Sequence, residues 1–490
     1  MPALSDLQRN AVRELLRASP VAVELGERFA AAGHALHLVG GSVRDAMLGR
    51  LGNDLDFTTD ARPEQVIALV DGWAEGLWEA GIAFGTVGIV RRGYRLEITT
   101  YRAESYDRTS RNPAVTYGAS LADDLARRDF AVNAMAVALP DWKAADAFVD
   151  PYGGLDDLAA GVLRTPGTPE LSFGDDPLRM LRAARFASTL GFTPVPEVVT
   201  AMTEMAGRLE IVSVERIADE LSKLICGAHP RTGLELLVDT GLAAYVLPEL
   251  PALRLEIDEH HQHKDVYDHT LQVLERAIAL ETDGPDLVLR LAALLHDIGK
   301  PRTRRLEGGG GVSFHHHEVV GASMAKRRLK ALRYPKDVTA SVTLLTELHL
   351  RFHGYQVESA FARGGQSRAT PWTDSAVRRY VTDAGPELAR LHKLVRSDCT
   401  TRNRRRAAAL DEAYDDLERR IAELSAREEL NAIRPDLSGE DIMALLGVPE
   451  GRVVGQARKH MLAVRMERGP LPREQAEVEL RTWAAQNGPF

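Results

Sequence analysis

The sequence predicts a multidomain protein in which an α/β region of about 150 residues precedes a mostly α-helical remainder. At 490 residues the chain is longer than one hydrophobic core normally supports, so we expect roughly two to four domains. ALHLVGGSVRDAMLG indicates a strand, a glycine turn and a helix, while LDFTT, TVGIV and RLEITTY indicate strands. From about residue 170 onward, the pattern favours helices.

The elements are predicted in chain order as follows. Residues 6–33 have the apolar pattern of an amphipathic helix, and Arg91–Tyr94 forms the turn of a hairpin. Residues 103–126 are polar and weakly periodic, which predicts a loop, as does the glycine run in 306–312. Alternating charges after residue 400 predict an exposed helix. We expect domain boundaries that divide the chain into residues 1–150, 151–254, 255–400 and 401–490.

Composition limits the class of protein. The chain is 44% hydrophobic and 27% charged, which is typical of a folded globular protein. It has no apolar run of about 20 residues and no apolar signal core at its start, so we expect a cytoplasmic protein without membrane contact. Cys226 and Cys399 are too few for a disulfide framework. The sequence leaves the oligomeric state open.

A net charge of −9 does not exclude a nucleic-acid partner, because phosphate contacts depend on local basic clusters. Each such cluster is more often simply a solvated face. The candidates are Arg91-Arg92, Arg127-Arg128, the run Lys326 to Lys330, and Arg402 with Arg404 to Arg406.

Asp54 and Asp56 lie two residues apart in NDLDFTT, a spacing that points both carboxylates to one face of a strand. Two close carboxylates repel each other unless cations neutralise them, so this pair suits a two-metal Mg²⁺ site that activates a hydroxyl and stabilises departing pyrophosphate. Glu97 is a candidate third carboxylate, because it alternates with core residues on its strand, although an exposed strand glutamate would look the same.

The glycine turn before this strand suits phosphate binding. Gly40 and Gly41 allow the backbone to approach phosphates closely, and N–H groups at a helix start, beside Ser42, point at negative charge. Arg44 is placed to clamp a triphosphate. A glycine turn followed by a surface arginine is the plainer alternative.

The string LVGGSVRDAMLGRLGNDLDFTT resembles the head motif of the class II tRNA nucleotidyltransferases and bacterial poly(A) polymerases. Further motifs follow in the family's order, so that the resemblance covers about residues 35–225: RRDFAVNAMAV, DPYGGLDDL, DDPLRMLRAARFASTLGF and ERIADELSKL. It implies a polymerase β-like nucleotidyltransferase head with a mixed sheet, followed by helical neck, HD and tail domains.

The resemblance also implies residue roles. Arg128 would bind the phosphates of the incoming nucleotide and Asp129 its sugar hydroxyls, with Asn133 in support. Arg182 and Arg185 would complete the nucleotide site. The alternative for this segment is a helix cap with flanking charges.

Asp176 and Arg179 lie three residues apart, so on a helix they would share a face. A carboxylate accepts and a guanidinium donates hydrogen bonds, which matches the amino group and ring nitrogen shared by cytosine and adenine. Uracil and guanine would meet two mismatched contacts, each costing about 1–3 kcal/mol if buried. This chemistry favours CTP and ATP as substrates, while an ordinary helical salt bridge is the alternative.

The motifs are shared by CCA-adding enzymes and poly(A) polymerases. Poly(A) polymerases of this family carry a GRRF-like string after the paired aspartates, whereas this chain has GIAFGTVGIVRRGY, which looks like the CCA-adding version. Residues 103–126 fit a flexible element that helps the switch from C to A. We therefore expect CCA addition to tRNA, with poly(A) synthesis as the alternative.

LRLAALLHDIGKP predicts an apolar helix that ends at a His-Asp pair, is capped by Gly299 and stops near Pro301. The chain resembles the HD phosphohydrolase domain, which implies a site for Mn²⁺, Ni²⁺, Fe²⁺ or Mg²⁺ that either hydrolyses phosphate esters or helps to hold tRNA. The implied ligands are His269, His296, Asp297, His317, His349 and Asp398.

The tail segment DLSGEDIMALLGVPEGRVVGQARKHM resembles a helical tail that grips tRNA, where Arg452, Arg458 and Lys459 are candidate phosphate contacts. A third hypothesis is an HD nucleotide hydrolase whose degenerate head only binds RNA. The intact head motifs argue against that degeneration.

Overall fold

The structure is a computed structural model that divides into two compact units, residues 1–248 and 249–490. This two-unit division does not decide the predicted four-part division, which stays a prediction. The structure describes residues 6–50, 52–79, 81–82, 85–105, 114–117, 120–144, 146–255, 265–307, 312–355, 372–399, 404–428 and 433–488.

The first unit is built on a mixed sheet, which confirms the predicted α/β head. The strand over Tyr94–Thr100 alternates more exposed and buried residues, as expected for a sheet with one covered face. The last three residues of the strand over Asp54–Thr59 are all buried. The strands of this unit are β1 Leu36–Val39, β2 Asp54–Thr59, β3 Gly76–Trp78, β4 Thr86–Arg91, β5 Tyr94–Thr100, β6 Arg102–Ser105, β7 Ala114–Tyr117, β8 Ala136–Leu139, β9 Phe148–Val149, β10 Val162–Leu163 and β11 Thr193–Pro194.

Among the described residues, the large sheet has the order β3-β4-β5-β2-β1-β8-β9. Only β2 and β5 pair in parallel within it, and the other neighbours are antiparallel. The β4–β5 hairpin is confirmed: Arg92 and Gly93 at its turn have φ of 48° and 77°, the conformation that a tight two-residue hairpin needs.

Helices cover and follow the sheet. They are α1 Asp6–Ala18, α2 Pro20–Ala31, α3 Gly41–Met47, α4 Pro63–Val70, α5 Leu121–Ala126, α6 Gly154–Ala160, α7 Pro169–Asp175, α8 Leu178–Leu190, α9 Pro196–Met205, α10 Val214–Ile225, α11 Pro230–Asp239 and α12 Ala243–Val246. The single helix predicted for residues 6–33 was wrong. Pro20 has no N–H to donate and is favoured at the first position of a helix, so the chain breaks at Ser19 and α2 begins anew.

The prediction of a loop over residues 103–126 is wrong at both of its ends. β6 pairs with β7 in an antiparallel hairpin, and α5 follows, capped by the Ser120 hydroxyl, which accepts from the Asp123 N–H at 3.3 Å. The expected role of residues 103–126 in the C-to-A switch stays a prediction, and residues 106–113, 118 and 119 of this segment lie outside the described residues.

The DPYGGLDDL motif fixes the start of α6. The Asp150 carboxylate accepts from the N–H groups of Gly154 and Leu155 at 2.8 and 2.9 Å. A Cβ on Gly154 would meet the Ala131 carbonyl oxygen at 2.1 Å, so only glycine allows this helix to approach the 3-10 turn at Ala131–Asn133. The motif thereby holds the segment that carries Asn133.

The second unit is mostly helical, as predicted. Its elements are α13 Val266–Ala279, α14 Leu287–Leu295, α15 Lys300–Thr303, β12 Arg305–Leu306, β13 Val312–Ser313, α16 His317–Ala331, α17 Lys336–Leu348, α18 Asp374–Ala384, α19 Leu388–Asp398, α20 Arg404–Glu428, α21 Gly439–Leu446, α22 Arg452–Arg468 and α23 Arg473–Asn487. The short strands pair across the glycine run, of which residues 308–311 lie outside the described residues.

Helix α20 confirms the helix predicted after residue 400, but one of its faces is buried through Tyr414, Leu417 and Leu424. α21, α22 and α23 pack around a separate apolar cluster that includes Ile442 and Met461. In the part of the chain that the structure describes, no helix combines the length and the apolarity that crossing a bilayer would need.

Candidate functional site

The two predicted head carboxylates lie on one face of β2. Asp54 is exposed and Asp56 half-buried, whereas Leu55 and Phe57 between and after them are buried. Asp56 is the direct register partner of Glu97 on the parallel strand β5, and Glu97 is exposed on the same face. Neighbouring strands lie about 4.8 Å apart, so the sheet itself places the third carboxylate beside the pair.

Electrostatics at this face of β2 and β5 favour a cation. Burial raises the pKa of Asp56, and the nearby carboxylates of Glu97 and Asp54 raise it further, while Arg128 and Arg44 lower it. A divalent ion would relieve that repulsion, and oxygen ligands are what Mg²⁺ prefers. The carboxylates of Asp54, Asp56 and Glu97 do not form a tight ligand set. Among the described residues, the two groups whose donor atoms all lie within 4.8 Å of one another are both in the second unit.

The glycine turn holds β2 and α3 together. Gly40 has φ 69° and ψ −133°, a conformation that side chains avoid, and precedes the first residue of α3. A Cβ there would meet Nη1 of Arg128 at 2.6 Å. The Ser42 hydroxyl accepts from the Asp56 N–H at 3.0 Å and donates to the Asp54 carbonyl at 3.4 Å, so it fixes the backbone between the two carboxylates.

Arg44 is buried and immobilised. It forms two parallel hydrogen bonds to the Asp45 carboxylate at 2.8 and 2.9 Å and donates to Oδ1 of Asn133 at 2.6 Å. Its guanidinium lies 5.1 Å from the centre of the Phe186 ring. Asn133 therefore positions an arginine, which is a more specific role than the support predicted for it.

Arg127 and Arg128 share a buried acid, Asp124. Arg127 donates to it at 2.6 and 3.1 Å and Arg128 at 3.2 Å. Burial alone would raise the pKa of Asp124, but the two arginines hold it below the usual value. Asp124 thus fixes Arg128, whose guanidinium lies against Gly40 and close enough to Asp56 to lower the pKa of that carboxyl.

Asp129 is saturated by partners in the protein. Oδ1 accepts from Phe130 N–H and Asn133 Nδ2 at 2.8 and 2.9 Å, and Oδ2 accepts from Arg182 Nε and Nη2 at 2.8 and 2.6 Å. Burial raises its pKa, but Arg182 and Asn133 outweigh this and lower it. All four acceptor positions are used, so a ribose hydroxyl could bind Asp129 only by displacing a partner.

Glu220 on α10 forms ion pairs with two of the predicted arginines, Arg182 and Arg185. It is 4% exposed and pairs with Arg182 at 3.4 Å and Arg185 at 3.1 Å, while its Oε2 has no partner among the described residues. Burial and the like charge of Arg182 lower the pKa of Arg185 to about 10. Both guanidiniums also lie over the Phe186 ring, at 5.5 and 4.2 Å.

Asp176 and Arg179 do not share a helix face, so that expectation was wrong. Asp176 has an extended backbone at the end of α7 because Pro177 follows it, and α8 begins only at Leu178. Asp176 accepts from Leu178 N–H at 3.1 Å and from Arg216 at 2.7 Å. Arg179 donates to Oγ of Ser172 at 2.9 Å and to the Arg127 carbonyl. The simple salt bridge between them is likewise not formed.

The sequence analysis missed Asp124, Ser172, Arg216 and Glu220. Each orients a predicted site residue. Asp124 had a local signal, because Arg127 and Arg128 follow it by three and four residues, whereas Ser172 had none. The available sign for Arg216 and Glu220 was their position in ERIADELSKL, a motif quoted without assigned roles.

Six predicted residues of the second unit converge on one buried cluster, here called the HD cluster: His269, His296, Asp297, His317, His349 and Asp398. Asp297 lies at its centre, with Oδ1 3.2 Å from Nε2 of His317 and Oδ2 3.2 Å from Nε2 of His296. Asp398 Oδ1 lies 3.0 Å from Nε2 of His269. The donors divide into two sets whose atoms lie within 4.8 Å of one another, His269, His296 and Asp398, and Asp297, His317 and His349.

Three imidazoles of the HD cluster are prepared to bind metal. Nδ1 of His296, His317 and His349 lies 2.8, 2.8 and 2.6 Å from a backbone carbonyl oxygen, so Nδ1 carries a proton and Nε2 is the nitrogen left for a metal ion whenever the ring is neutral. The three Nε2 atoms are buried and face the Asp297 carboxylate, at 3.2 Å for His296 and His317 and 3.9 Å for His349, without forming a hydrogen bond to a described residue. Burial lowers the pKa of His349 to about 4, so its lone pair is free at neutral pH.

The carboxylates of the HD cluster stay ionised. Burial would raise the pKa of Asp297, but His296 and Lys300 hold it well below the usual value. Lys300 Nζ lies 2.6 Å from Asp297 Oδ2. Donor chemistry, orphaned nitrogens and two adjacent sets together fit one or two divalent metal ions.

The three adjacent histidines differ in burial, and the predicted cap at Gly299 is corrected. His317 is buried and faces Asp297, whereas His315 and His316 are exposed and, with Lys300, line a cavity of about 560 Å³. Gly299 has φ −76° and is not a left-handed cap of α14. It is glycine because a Cβ would meet the His317 carbonyl oxygen at 2.1 Å.

Three domain families match parts of this chain. Residues 36–164 match the poly(A) polymerase head domain, residues 191–253 the probable RNA- and SrmB-binding site of polymerase A, and residues 266–385 the HD domain.

Curated relatives are nucleotidyltransferases. The chain is 32% identical over 466 residues to the A-adding tRNA nucleotidyltransferase of Deinococcus radiodurans, covering 92% of this chain and 95% of that one. It is 43% identical over 258 residues to a CCA-adding enzyme of Levilactobacillus brevis and 40% over 226 residues to that of Anoxybacillus flavithermus. These two matches cover 52% and 46% of this chain but only 62% and 54% of the relatives.

Solved structures share the fold. The Bacillus stearothermophilus CCA-adding enzyme in complex with CTP has a TM-score of 0.65 at 24% identity, covering 95% of this chain and 97% of that one. The full-length match to the Deinococcus radiodurans relative and the three domain matches show that the chain belongs to the class II CCA-adding tRNA nucleotidyltransferase and poly(A) polymerase family, with an HD domain in its C-terminal half.

Proposed function

We propose that this chain is a template-independent nucleotidyltransferase of the cytoplasm that adds CMP, CMP and AMP, from CTP and ATP, to the 3′ end of tRNA. The observation that carries the proposal is the placement of Asp54, Asp56 and Glu97 on one face of the sheet, beside the fixed arginines Arg44 and Arg128. Acids that would hold a cation and guanidiniums that would hold phosphates thus lie close together, as transfer from a triphosphate requires.

Asp54, Asp56 and Glu97 would hold Mg²⁺. When bound, Mg²⁺ supplies activation of the RNA 3′-hydroxyl and charge stabilisation for the departing pyrophosphate. Ser42 keeps the two aspartates in register through its contacts with the β2 backbone. Gly40 leaves space in which Arg128 can approach the phosphates.

Base selection is assigned to Asp176 and Arg179, which are held by partners outside the pair. Arg216 fixes the Asp176 carboxylate, and Ser172 with the Arg127 carbonyl fixes the Arg179 guanidinium. A carboxylate oxygen accepts more than one hydrogen bond and a guanidinium has five N–H donors, so both keep capacity for a base edge. Together, the acceptor on Asp176 and the donors on Arg179 favour cytosine and adenine over uracil and guanine.

The second candidate is addition of the terminal A alone. It is favoured by the Deinococcus radiodurans relative, an A-adding enzyme whose match spans nearly the whole of both chains. The two functions differ in a single observable property, which is the incorporation of CMP.

The test supplies CTP and ATP, singly and together, to tRNA lacking CCA, to tRNA ending in CC, and to an unrelated RNA. CCA addition predicts three added nucleotides on the first tRNA, with CMP incorporated from CTP alone. Incorporation of AMP on the second tRNA without any CMP on the first would support the A-adding candidate. Long A tails on any RNA would support poly(A) synthesis and overturn the proposal.

We further propose that the HD cluster holds a divalent transition metal or Mg²⁺ and hydrolyses phosphate esters. The three orphaned Nε2 atoms and the adjoining cavity with Lys300 support this. A bound ion would supply a hydroxide at neutral pH, and Lys300 is placed to bind a phosphate oxygen. Phosphate release from 2′,3′-cyclic nucleotides or 2′-nucleotides, measured across Mn²⁺, Ni²⁺, Fe²⁺ and Mg²⁺, tests it. No release with any of them would leave the cluster without hydrolytic function.

A further inference from the structure

A cavity of about 340 Å³ lies between helices α16 and α17 of the second unit. It is within the size range of small-molecule sites, which is about 300–1,000 Å³. Its lining residues belong neither to the HD cluster nor to the cavity that adjoins it.

One side of this cavity is positively charged. Lys326 and Lys330 on α16 and Lys336 at the start of α17 all line it, and all are exposed. Among the described residues none of the three has a carboxylate partner, although the chain as a whole carries a net charge of −9. Lys326 and Lys330 are one helical turn apart, where like charges destabilise a helix by about 0.2–0.5 kcal/mol. An anion in the cavity would remove that repulsion.

The rest of the lining combines an apolar surface with one unpaired hydroxyl, and it also includes Thr343 and a single carboxylate, Glu347, against the three lysines. Tyr334, Ala340 and Leu344 contribute a ring and aliphatic surface. Thr339 also lines the cavity; it is 4% exposed, and its hydroxyl has no hydrogen-bond partner in the described part of the chain. A buried hydroxyl without a partner costs about 1–3 kcal/mol, which a ligand with a polar edge would offset.

We propose that this cavity binds a nucleoside monophosphate. The lysines bind its phosphate, and the base lies against Tyr334 and Leu344 with a polar edge toward Thr339. Inorganic phosphate would leave the apolar side uncovered. A longer RNA strand would need further aromatic platforms for successive bases, whereas this cavity offers one ring and the volume of one nucleotide. The site uses neither the head carboxylates nor the HD cluster.

The test is photo-crosslinking of the full-length protein with 8-azidoadenosine 5′-monophosphate in EDTA, followed by mass-spectrometric mapping. We expect label within residues 326–347 that unlabelled AMP competes away and adenosine does not, because the phosphate provides the charge contact. The double variant Lys326→Ala/Lys330→Ala should lose at least 10-fold in labelling. Arg327→Ala, a neighbouring exposed cation on α16 that does not line the cavity, should label like the wild type.

Label found only elsewhere, equal competition by adenosine, or unchanged labelling of the double variant would each overturn the proposal. Competition by an oligonucleotide but not by AMP would likewise overturn it and identify an RNA surface. Both lysines are exposed, so the double variant should fold, and an unchanged thermal midpoint checks this.

Discussion

Replacing Glu220 with glutamine tests how the nucleotide-site arginines are held. The carboxylate pairs with Arg185 at 3.1 Å and Arg182 at 3.4 Å in a site where it is 4% exposed. Charges about 3 Å apart attract by about 5 kcal/mol at an effective dielectric constant near 20, but desolvation offsets most of this. Loss of one partner of a buried pair costs about 3–5 kcal/mol because the other charge stays buried.

We expect Glu220→Gln to lower the free energy of unfolding by about 3 kcal/mol, the lower end of that range. The Arg182 side chain is 31% exposed and keeps its ion pair with Asp129, so its charge is not left unpaired. For a unit of this size, that corresponds to a fall of roughly 6–12 °C in the thermal midpoint. Differential scanning calorimetry measures the transition, and nucleotide incorporation should show a raised KM for the nucleotide as the arginines lose their orientation.

The matched control is Glu204→Gln on α9, an exposed glutamate without an ion pair in the described residues, which should leave the midpoint unchanged. A fall below about 2 °C in Glu220→Gln with an unchanged KM would refute the role of Glu220 in positioning the arginines.

Three further predictions concern single contacts. Gly40→Ala should cost about 1–3 kcal/mol in backbone strain and displace Arg128, so that kcat/KM for incorporation falls at least 10-fold while the fold survives, as circular dichroism would show; unchanged kinetics would contradict this. Gly299→Ala should push the α14–α15 turn off His317 and weaken metal binding by the HD cluster at least 10-fold in titration calorimetry, and equal affinity would contradict the packing. Burial lowers the pKa of His37 below its usual 6.5 against the raising effect of nearby carboxylates, so the stability linked to its neutral form is present above pH 6.5 and is lost as pH falls. The thermal midpoint should therefore fall more steeply from pH 7 to 5.5 in the wild type than in His37→Gln, and equal slopes would contradict it.

Much of the head could be predicted because strands and glycine turns leave local patterns. The alternation around Asp54 and Asp56 predicted the shared face, and Glu97 was found because it alternates with core residues. The HD cluster was found as a set of residue types in order, although its ligands come from helices far apart in sequence.

What the sequence did not predict depends on tertiary contacts. Glu220 looks like an ordinary helix acid until packing places Arg182 and Arg185, which lie 38 and 35 residues away in sequence, against it. Gly299 resembled a helix cap in the sequence, but a glycine is needed there because α16 approaches its backbone closely. Pro177 keeps Asp176 out of the helix that begins at Leu178. This proline was visible in the sequence, but the prediction considered only the three-residue spacing of Asp176 and Arg179.

The central claim is that the head carboxylates perform nucleotidyl transfer independently of the HD cluster. It is tested most directly by assaying CTP and ATP incorporation into tRNA lacking CCA, together with hydrolysis of 2′,3′-cyclic nucleotides, in Asp56→Ala, His296→Ala and the control Asp71→Ala, an exposed residue at the end of α4. We predict that Asp56→Ala abolishes incorporation and spares hydrolysis, that His296→Ala does the reverse, and that Asp71→Ala changes neither. Wild-type incorporation by folded Asp56→Ala protein, or loss of both activities in either site variant, would contradict the account.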